Sequence, residues 1–388
     1  MSKKDRIGEY KKISVEKEDY YAYTPKSLPP NPEIDLKNLF GLIDQANTAL
    51  GRLDGMSLVL PDSNLFLYMY IRKEAVLSSQ IEGTQSSLSD LLLHESKKTP
   101  GVPIDDVTEV SCYVSAMTYG LKRLESFPLS LRLIREIHEK LMNNARGGNK
   151  QPGQFRNSQN WIGGTRPGNA LFVPPPVEDL MCCLDSFEKF LHNDKINLPA
   201  LIKVALAHLQ FETIHPFLDG NGRLGRLLIT LILCKEKILK EPLLYLSLYF
   251  KTNRQEYYNH LQSVRETGSW EEWIEFFLKG VIETSSQATQ TAKAIIDLFE
   301  ADRLLIEKHN KSTSSIVSIY TYLQKNPIIN TSEIKSALEI SLPTVLRSLV
   351  VLENLGIIKE ITKKERNKIF VYQEYINILN KETLNKEM

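Results

Sequence analysis

His215-Pro216-Phe217-Leu218-Asp219-Gly220-Asn221-Gly222-Arg223-Leu224-Gly225-Arg226 is the stretch from which the rest of the chain is read. It joins two apolar runs. Upstream, residues 198–213 have helical spacing and deliver the chain into His215. Downstream, residues 224–239 contain Leu227-Leu228-Ile229-Thr230-Leu231-Ile232-Leu233, apolar on every side, which predicts the central helix of a helical core. The groups between them suit nucleotide chemistry. His215 takes a proton near neutral pH. Asp219 is a hard oxygen ligand of the kind Mg²⁺ prefers. Gly220-Asn221-Gly222 lets the backbone turn tightly, so that consecutive N–H groups converge on an anion. A helix N-terminus there adds a dipole that favours phosphate. Arg223 and Arg226 stand three apart on one helical face, and guanidinium forks suit phosphate oxygens. An ordinary capped turn does not need all of these at once.

The string is similar, without departure, to the signature of the Fic family, H-P-F-x-D/E-G-N-G-R-x-x-R. Most characterised members transfer AMP from ATP to a protein hydroxyl. The resemblance implies His215 as base for that hydroxyl and Asp219 on Mg²⁺, with Mn²⁺ as a substitute. It implies Gly220, Asn221 and Gly222 in the anion nest, and Arg223 and Arg226 on the phosphates of the co-substrate ATP. A related branch that phosphorylates its target carries Lys where this chain has Gly222, so the glycine favours nucleotidyl transfer.

Ser78-Ser79-Gln80-Ile81-Glu82-Gly83 would by itself be a helix end. Beside the signature it resembles the S/T-x-x-x-E-G/N motif of Fic members with a built-in inhibitory helix. Ser78 and Glu82, at i and i+4, share a face. A carboxylate there pairs with Arg226 and withholds that arginine from the γ-phosphate. The expectation is an inhibitory helix at about 70–83, with Ser78, Glu82 and Gly83 as its functional residues.

Residues 151–164 read Q-P-G-Q-F-R-N-S-Q-N-W-I-G-G, followed by a Pro167-Gly168-Asn169 turn and Leu171-Phe172-Val173. Two β-prone runs around such a turn predict a hairpin over about 159–174. The wording is also Fic-like, and there the hairpin is a flap beside the active site. Its edge, at Trp161, Ile162 and Gly163, would hold a target segment by strand addition. In Fic relatives a segment like 249–258 lies over the nucleotide base, which implies Tyr249 and Tyr257 as stacking residues. His138 and His208 fall inside helical runs and read as packed histidines.

Composition narrows the class. The 388 residues are 42% apolar and 24% charged, with a formal net charge of +1, so no global field draws the chain to nucleic acid or membrane. Cys112, Cys182, Cys183 and Cys234 form no C-x-x-C pair and read as reduced thiols of a cytoplasmic protein. No apolar run approaches the length of a membrane span.

The expected fold is mainly α: a Fic helical core with a β-hairpin flap, plus a small α/β winged-helix domain at the C-terminus. Residues 1–34 read as an arm laid over the body, or partly disordered, and 35–127 as an N-terminal helical region. Residues 128–283 are the catalytic core, with its last packed helix running to about Val281; 284–310 are a linker helix, with the domain boundary just beyond the small polar run 284–291; and 376–388 are a charged tail. Over 311–375, three helices and a hairpin predict a winged helix. Its recognition helix is 342–355, with Ser341 as cap, Pro343 in the first turn and Gly356 as the stop. Lys363, Lys364, Arg366 and Lys368 in the hairpin turn offer a few phosphate contacts, so DNA is an expected partner beside a protein target, the chain itself, or a second copy in a homodimer. The expected function is protein adenylyltransferase, self-inhibited through Glu82 and Arg226. The rivals are removal of AMP or another nucleotide donor at the same site, and a DNA-binding regulator built on a Fic core.

Overall fold

The computed structural model describes residues 3–15, 18–59, 63–95, 102–143, 150–193, 195–309, 313–362 and 368–384. The N-terminal arm lies on the body, and it is a hairpin. After a 3-10 turn, strands β1 (Glu9–Val15) and β2 (Glu18–Thr24) pair antiparallel with Glu9 opposite Thr24. Tyr20 and Ala22 alternate inward while Asp19 and Tyr21 stay exposed, the two-residue period of a strand with one buried face. Ion pairs fasten it: Arg6 forks onto Glu271 at 2.7 and 2.9 Å, and Lys11 pairs with Asp179.

The helical body begins with α1 (Phe40–Val59), α2 (Ser63–Ile81), α3 (Leu88–Glu95), α4 (Ile104–Leu124) and α5 (Leu131–Met142). Ser130 caps α5 by accepting the Leu133 N–H at 3.4 Å, which sets Leu133, Ile134, Ile137 and Leu141 on its buried face. Then come α6 (Val177–Leu191), α7 (Ala200–Ile214) and α8 (Asn221–Lys235). Helix α7 is buried from Leu201 to Ile214, and α8 from Arg223 to Leu233. They pack on one another, and α8 also meets α2, α4 and α5, which makes it the central helix that its apolar run predicts.

Short helices α9 (Ser247–Thr252) and α10 (Arg254–Thr267) lead to α11, a single helix of 39 residues, Trp270–Lys308. The packed helix expected to end near Val281 therefore continues unbroken through 284–291. Its small polar residues are a packing seam. Thr284 and Ser285 are fully buried, and Thr284 and Thr289 return their hydroxyls to the carbonyls of Gly280 and Ser285 at 2.7 and 2.8 Å. Ala288 and Ala292 continue the seam, α1 packs along the helix, and Tyr70 of α2 donates to the Ala288 carbonyl at 2.7 Å.

The C-terminal unit runs α12 (Ser314–Lys325), β3 (Ile328–Asn330), α13 (Thr331–Leu338), α14 (Leu342–Asn354), β4 (Lys359–Glu360) and β5 (Ile369–Val371), with antiparallel sheet order β3-β5-β4. Strand β3 is too short to be read from the sequence. Asn330 and Glu333 close a capping box over α13. Ser341 stands at the N-cap of α14, but its hydroxyl bonds Thr344 Oγ1 at 2.9 Å rather than a backbone N–H. Lys363, Lys364 and Arg366 lie outside the described residues. Lys368 is paired with Glu360 at 2.8 Å. The expected charged tail is a helix through residue 384, α15 (Gln373–Leu384), with Tyr375, Ile376 and Leu379 buried at helical spacing. Among the described residues no helix is long and apolar enough to cross a membrane.

Candidate active site

The turn 215–220 between the two most buried helices carries the site. Helix α7 stops because His215 is left-handed, at φ 49° and ψ 61°, and α8 starts after Gly220 at φ 78°. Asn221 holds the loop shut: its Oδ1 accepts the Phe217 N–H at 2.9 Å and its Nδ2 donates to the Phe217 carbonyl at 2.8 Å. Its side chain therefore shapes the loop, and only its backbone N–H is left to face an anion. The Leu224 N–H is the first of α8 to bond within the helix, to Gly220 O at 3.0 Å. The N–H groups of Asn221, Gly222 and Arg223 precede it and find no carbonyl a turn earlier.

His215 Nδ1–H donates to the Glu212 carbonyl at 3.3 Å, which leaves Nε2 as the proton acceptor. Burial lowers the imidazole to about 4, helped by Arg265 and Arg156 and opposed by Glu82 and the Glu212 carbonyl. The ring is therefore neutral, as a base must be. His138 and His208 are the packed histidines expected. His138 stacks on Phe217 at 3.7 Å between ring centres, accepts from the Gly153 N–H at 2.9 Å and donates to Asp219 O at 3.0 Å. His208 donates to Gly225 O at 3.1 Å and accepts from Tyr257 at 2.9 Å.

The helix carrying Ser78 docks against Arg226. Arg226 Nε donates to Ser78 Oγ at 2.9 Å, and Nη2 donates to Ser78 O at 3.0 Å and to Glu82 Oε1 at 2.6 Å. Burial pushes the Glu82 carboxyl up, but the charge and hydrogen bond of Arg226 outweigh it and hold it below its ordinary value. Gly83, at φ 99°, follows the end of the helix. The Glu82 carboxylate lies directly over the start of α8: a Cβ at Gly222 would meet Glu82 Oε1 at 2.3 Å.

Other expected residues go elsewhere. Arg223 does not accompany Arg226. It pairs with Glu109 of α4 at 2.9 Å, is buried, and stands 3.8 Å from Asp219 Oδ1. Sharing a helical face did not make the two arginines share a partner. Tyr257 is fully buried in a cluster with Phe250 and Trp273, so its ring has no open face for a base. Tyr249 is half-buried against Phe276. The neighbouring Tyr258 is 37% exposed, and its charge field is shared with Glu82 and Arg226.

The flap at 159–174 is a hairpin with one rung, the antiparallel bridge Ile162–Phe172. A 3-10 turn (Pro167–Asn169) replaces the rest of the ladder. Trp161 is 39% exposed, and Gly163 follows the bridge at φ 70°. The flap is braced from outside: β2 donates its Tyr23 N–H to Val173 O at 2.9 Å, and Glu18 accepts the Gly168 N–H at 3.0 Å. Asn160 Nδ2 reaches Phe217 O at 2.8 Å and Arg156 Nε reaches His215 O at 3.0 Å, which fixes the flap's root to the signature loop.

Asp219 presents a carboxylate whose side chain is 42% exposed and whose Oδ1 accepts the Gly220 N–H at 2.6 Å. Among the described residues no three His, Cys, Asp or Glu side chains gather as a metal cage. A single carboxylate beside an anion nest fits Mg²⁺ brought in on substrate phosphates, the usual arrangement for that ion.

Three residues of the site are silent in the motifs, Glu109, Glu212 and Arg265, and Arg156 stands in the flap wording without a role assigned to it. Glu109 and Arg265 leave a trace, a charge beside the apolar stripes Val107–Val110–Val114 and Tyr257–Leu261–Val264. Glu212 is buried, raised to about 7 by burial, and its Oε1 has no hydrogen-bond partner among the described residues.

A buried neutral imidazole, a helix start with unpaired N–H groups and a carboxylate-locked arginine stand together on a helical core, the arrangement that the Fic-like motifs predict. Residues 40–122 match the family described as Fic/DOC family N-terminal and residues 128–233 the Fic/DOC family, so these two regions are Fic-family domains. It is 28% identical over 289 residues to a protein from Aedes aegypti named Protein adenylyltransferase Fic, covering 69% of this chain and 54% of that one. A protein of the same name from Drosophila erecta is 30% identical over 193 residues, covering 48% and 35%. The chain thus spans about half or less of these relatives. Among solved structures, a Fic family protein from Desulfovibrio desulfuricans superposes with a TM-score of 0.56 at 21% identity, covering 85% of this chain and 95% of that one. A Fic domain containing signaling protein from Bacteroides thetaiotaomicron gives 0.51 at 20%, covering 65% and 97%. At such identities the likeness is one of fold.

Proposed function

We propose that this chain transfers AMP from Mg·ATP to a Ser, Thr or Tyr hydroxyl of a protein, itself included, and that Glu82 holds it inactive at rest. The observation that carries the reading is the turn 215–220, which sets a neutral imidazole and the free N–H groups of α8 on two sides of one short loop. His215 Nε2 takes the hydroxyl proton as the oxygen bonds to the α-phosphorus. The bond from that phosphorus to the bridging oxygen breaks, and pyrophosphate leaves. The N–H groups of Asn221 and Gly222 hold phosphate oxygens, with Arg226 beside them once it is free. Arg223, tied to Glu109, supports the helix start and Asp219 more than it reaches substrate. Asp219 would hold the Mg²⁺, which when bound offsets phosphate charge. Relatives named as adenylyltransferases support the same reaction.

Inhibition follows from charge and space. The Glu82 carboxylate is an internal anion at an anion site: it satisfies Arg226 and lies over Gly222, where a phosphate would approach.

We further propose that the C-terminal unit is a winged helix that docks protein rather than DNA. The exposed residues of α14 are Leu342, Pro343, Leu346, Arg347, Val350 and Asn354, of which only Arg347 is basic. Phosphate contacts need more cations than that, and an apolar protein surface fits the face better.

The test is covalent label from ATP labelled at the α-phosphate, with Mg²⁺, in the wild type, Glu82→Gly, and Glu82→Gly with His215→Ala. Label should rise at least tenfold in Glu82→Gly and vanish with His215→Ala. No label in any of them, with a cell extract supplied as target source, would overturn the reading.

A further inference from the structure

Arg265, on α10, is 5% exposed. Among the described residues it forms no ion pair, an expensive state for a buried guanidinium. What it touches instead are the two halves of the site. Its Nη2 donates to the Glu212 carbonyl at 3.3 Å, the same oxygen that receives the His215 Nδ1–H at 3.3 Å. Its Nε donates to Thr213 Oγ1 at 3.2 Å, two residues before the base. On the other side its guanidinium carbon stands 3.8 Å from the centre of the Phe172 ring. Phe172 is the residue whose backbone makes the flap's one bridge, to Ile162.

We propose that Arg265 is a positioning residue that clamps the carbonyl orienting His215 to the ring anchoring the flap. Base and target platform then keep a fixed spacing through one side chain. The transferase reading says what that spacing serves; the clamp itself rests on the contacts above. The geometry gives Arg265 two separable effects. Its fork and its face hold Glu212 O and Phe172 in place. Its charge disfavours a second proton on the imidazole. The groups acting on His215 are Arg265 from α10, Arg156 from the root of the flap, Glu82 from the end of α2, and the Glu212 carbonyl of α7. Burial and both arginines lower its pKa, while Glu82 and the carbonyl raise it. Removing Arg265 must therefore move it upward.

The test uses the full chain with ¹³C-labelled histidine, the His215 signal being assigned by its loss in His215→Ala. Its titration is followed in the wild type, Arg265→Met and Arg265→Lys, and amide exchange of residues 160–173 is measured in the same proteins. Arg265→Met should raise the His215 midpoint by roughly one unit, the scale of a close charge, and speed exchange in the flap. Arg265→Lys, which keeps the charge but not the fork, should leave the midpoint near the wild type and still speed exchange. An unmoved midpoint in Arg265→Met, equal midpoint shifts in both variants, or unmoved flap exchange would overturn the clamp. If Arg265→Met does not fold, Phe172→Ala replaces it. Faster flap exchange in both Phe172→Ala and Arg265→Lys then supports the clamp, and unchanged exchange overturns it. Neither readout involves a nucleotide, so failure here is distinct from failure of the transferase reading, which shows as missing label in Glu82→Gly.

Discussion

Glu82 and Gly222 are fitted to each other: a single added Cβ at residue 222 would stand 2.3 Å from Glu82 Oε1. The glycine that opens the anion-binding helix is also what lets the carboxylate settle there and reach Arg226 at 2.6 Å. The residue that makes room for phosphate thus makes room for its internal substitute.

Gly222→Ala should therefore evict Glu82 from Arg226. In the wild type this costs about 1–3 kcal/mol, part of a buried pair's worth because the Glu82 side chain is 37% exposed. In a Glu82→Gly background the same change should cost under about 0.5 kcal/mol, since Ala is a good helix former and nothing is displaced. Denaturant melts of the four proteins give the coupling directly. Equal costs in the two backgrounds would mean that the carboxylate does not rest on Gly222.

Acid should weaken the fold through its neutral histidines. Burial holds His138 and His215 near 4 and His208 near 3, below their unfolded value of about 6.5. Between those limits the unfolded chain binds more protons, so stability is full above pH 6.5 and falls as pH drops towards 4. A single such histidine is worth roughly 2 kcal/mol at pH 5. His208→Gln should lose some stability at pH 7 yet fall less steeply from pH 7 to 5 than the wild type. A parallel fall would show that His208 is not neutral in the fold.

The helices were legible because their apolar spacing is strong, and the catalytic turn because its residue types are individually unusual. Charge partners were not legible. Arg223 and Arg226 look equivalent in sequence, and only the arrival of Glu109 on α4, Ser78 on α2 and Glu82 just past its end separates them. Arm strands escaped notice because Tyr20 and Ala22 are buried against a flap distant in sequence. The continuity of α11 past Val281 was not legible because small polar residues such as those at 284–291 serve loops and close helix seams alike.

That seam is testable. Ala288 has no exposed surface and gives its carbonyl to Tyr70 of α2. Ala288→Leu should overpack it at a cost of about 1–3 kcal/mol. Gln290→Leu, two residues on and exposed, should change stability by less than about 0.5 kcal/mol. Thermal melts compare them. Equal effects would mean that the segment is a loosely packed linker after all.

The adjacent tyrosines 257 and 258 should separate into a structural and a ligand-facing role. Tyr257 donates its hydroxyl to His208 Nε2 at 2.9 Å inside an aromatic cluster. Tyr257→Phe keeps the ring and strands that nitrogen, so it should cost about 1–3 kcal/mol of stability. The KM for ATP, read in the Glu82→Gly background, should stay within about twofold. Tyr258 has the exposed ring and lies within the field of Glu82 and Arg226. If a base stacks there, Tyr258→Ala should raise that KM several-fold, the scale of about 0.5–1.5 kcal/mol for an aromatic pair, with little change in melting. A KM that moves with Tyr257→Phe and not with Tyr258→Ala would return the stacking role to the buried ring, and the cluster around His208 would then have to open when nucleotide binds.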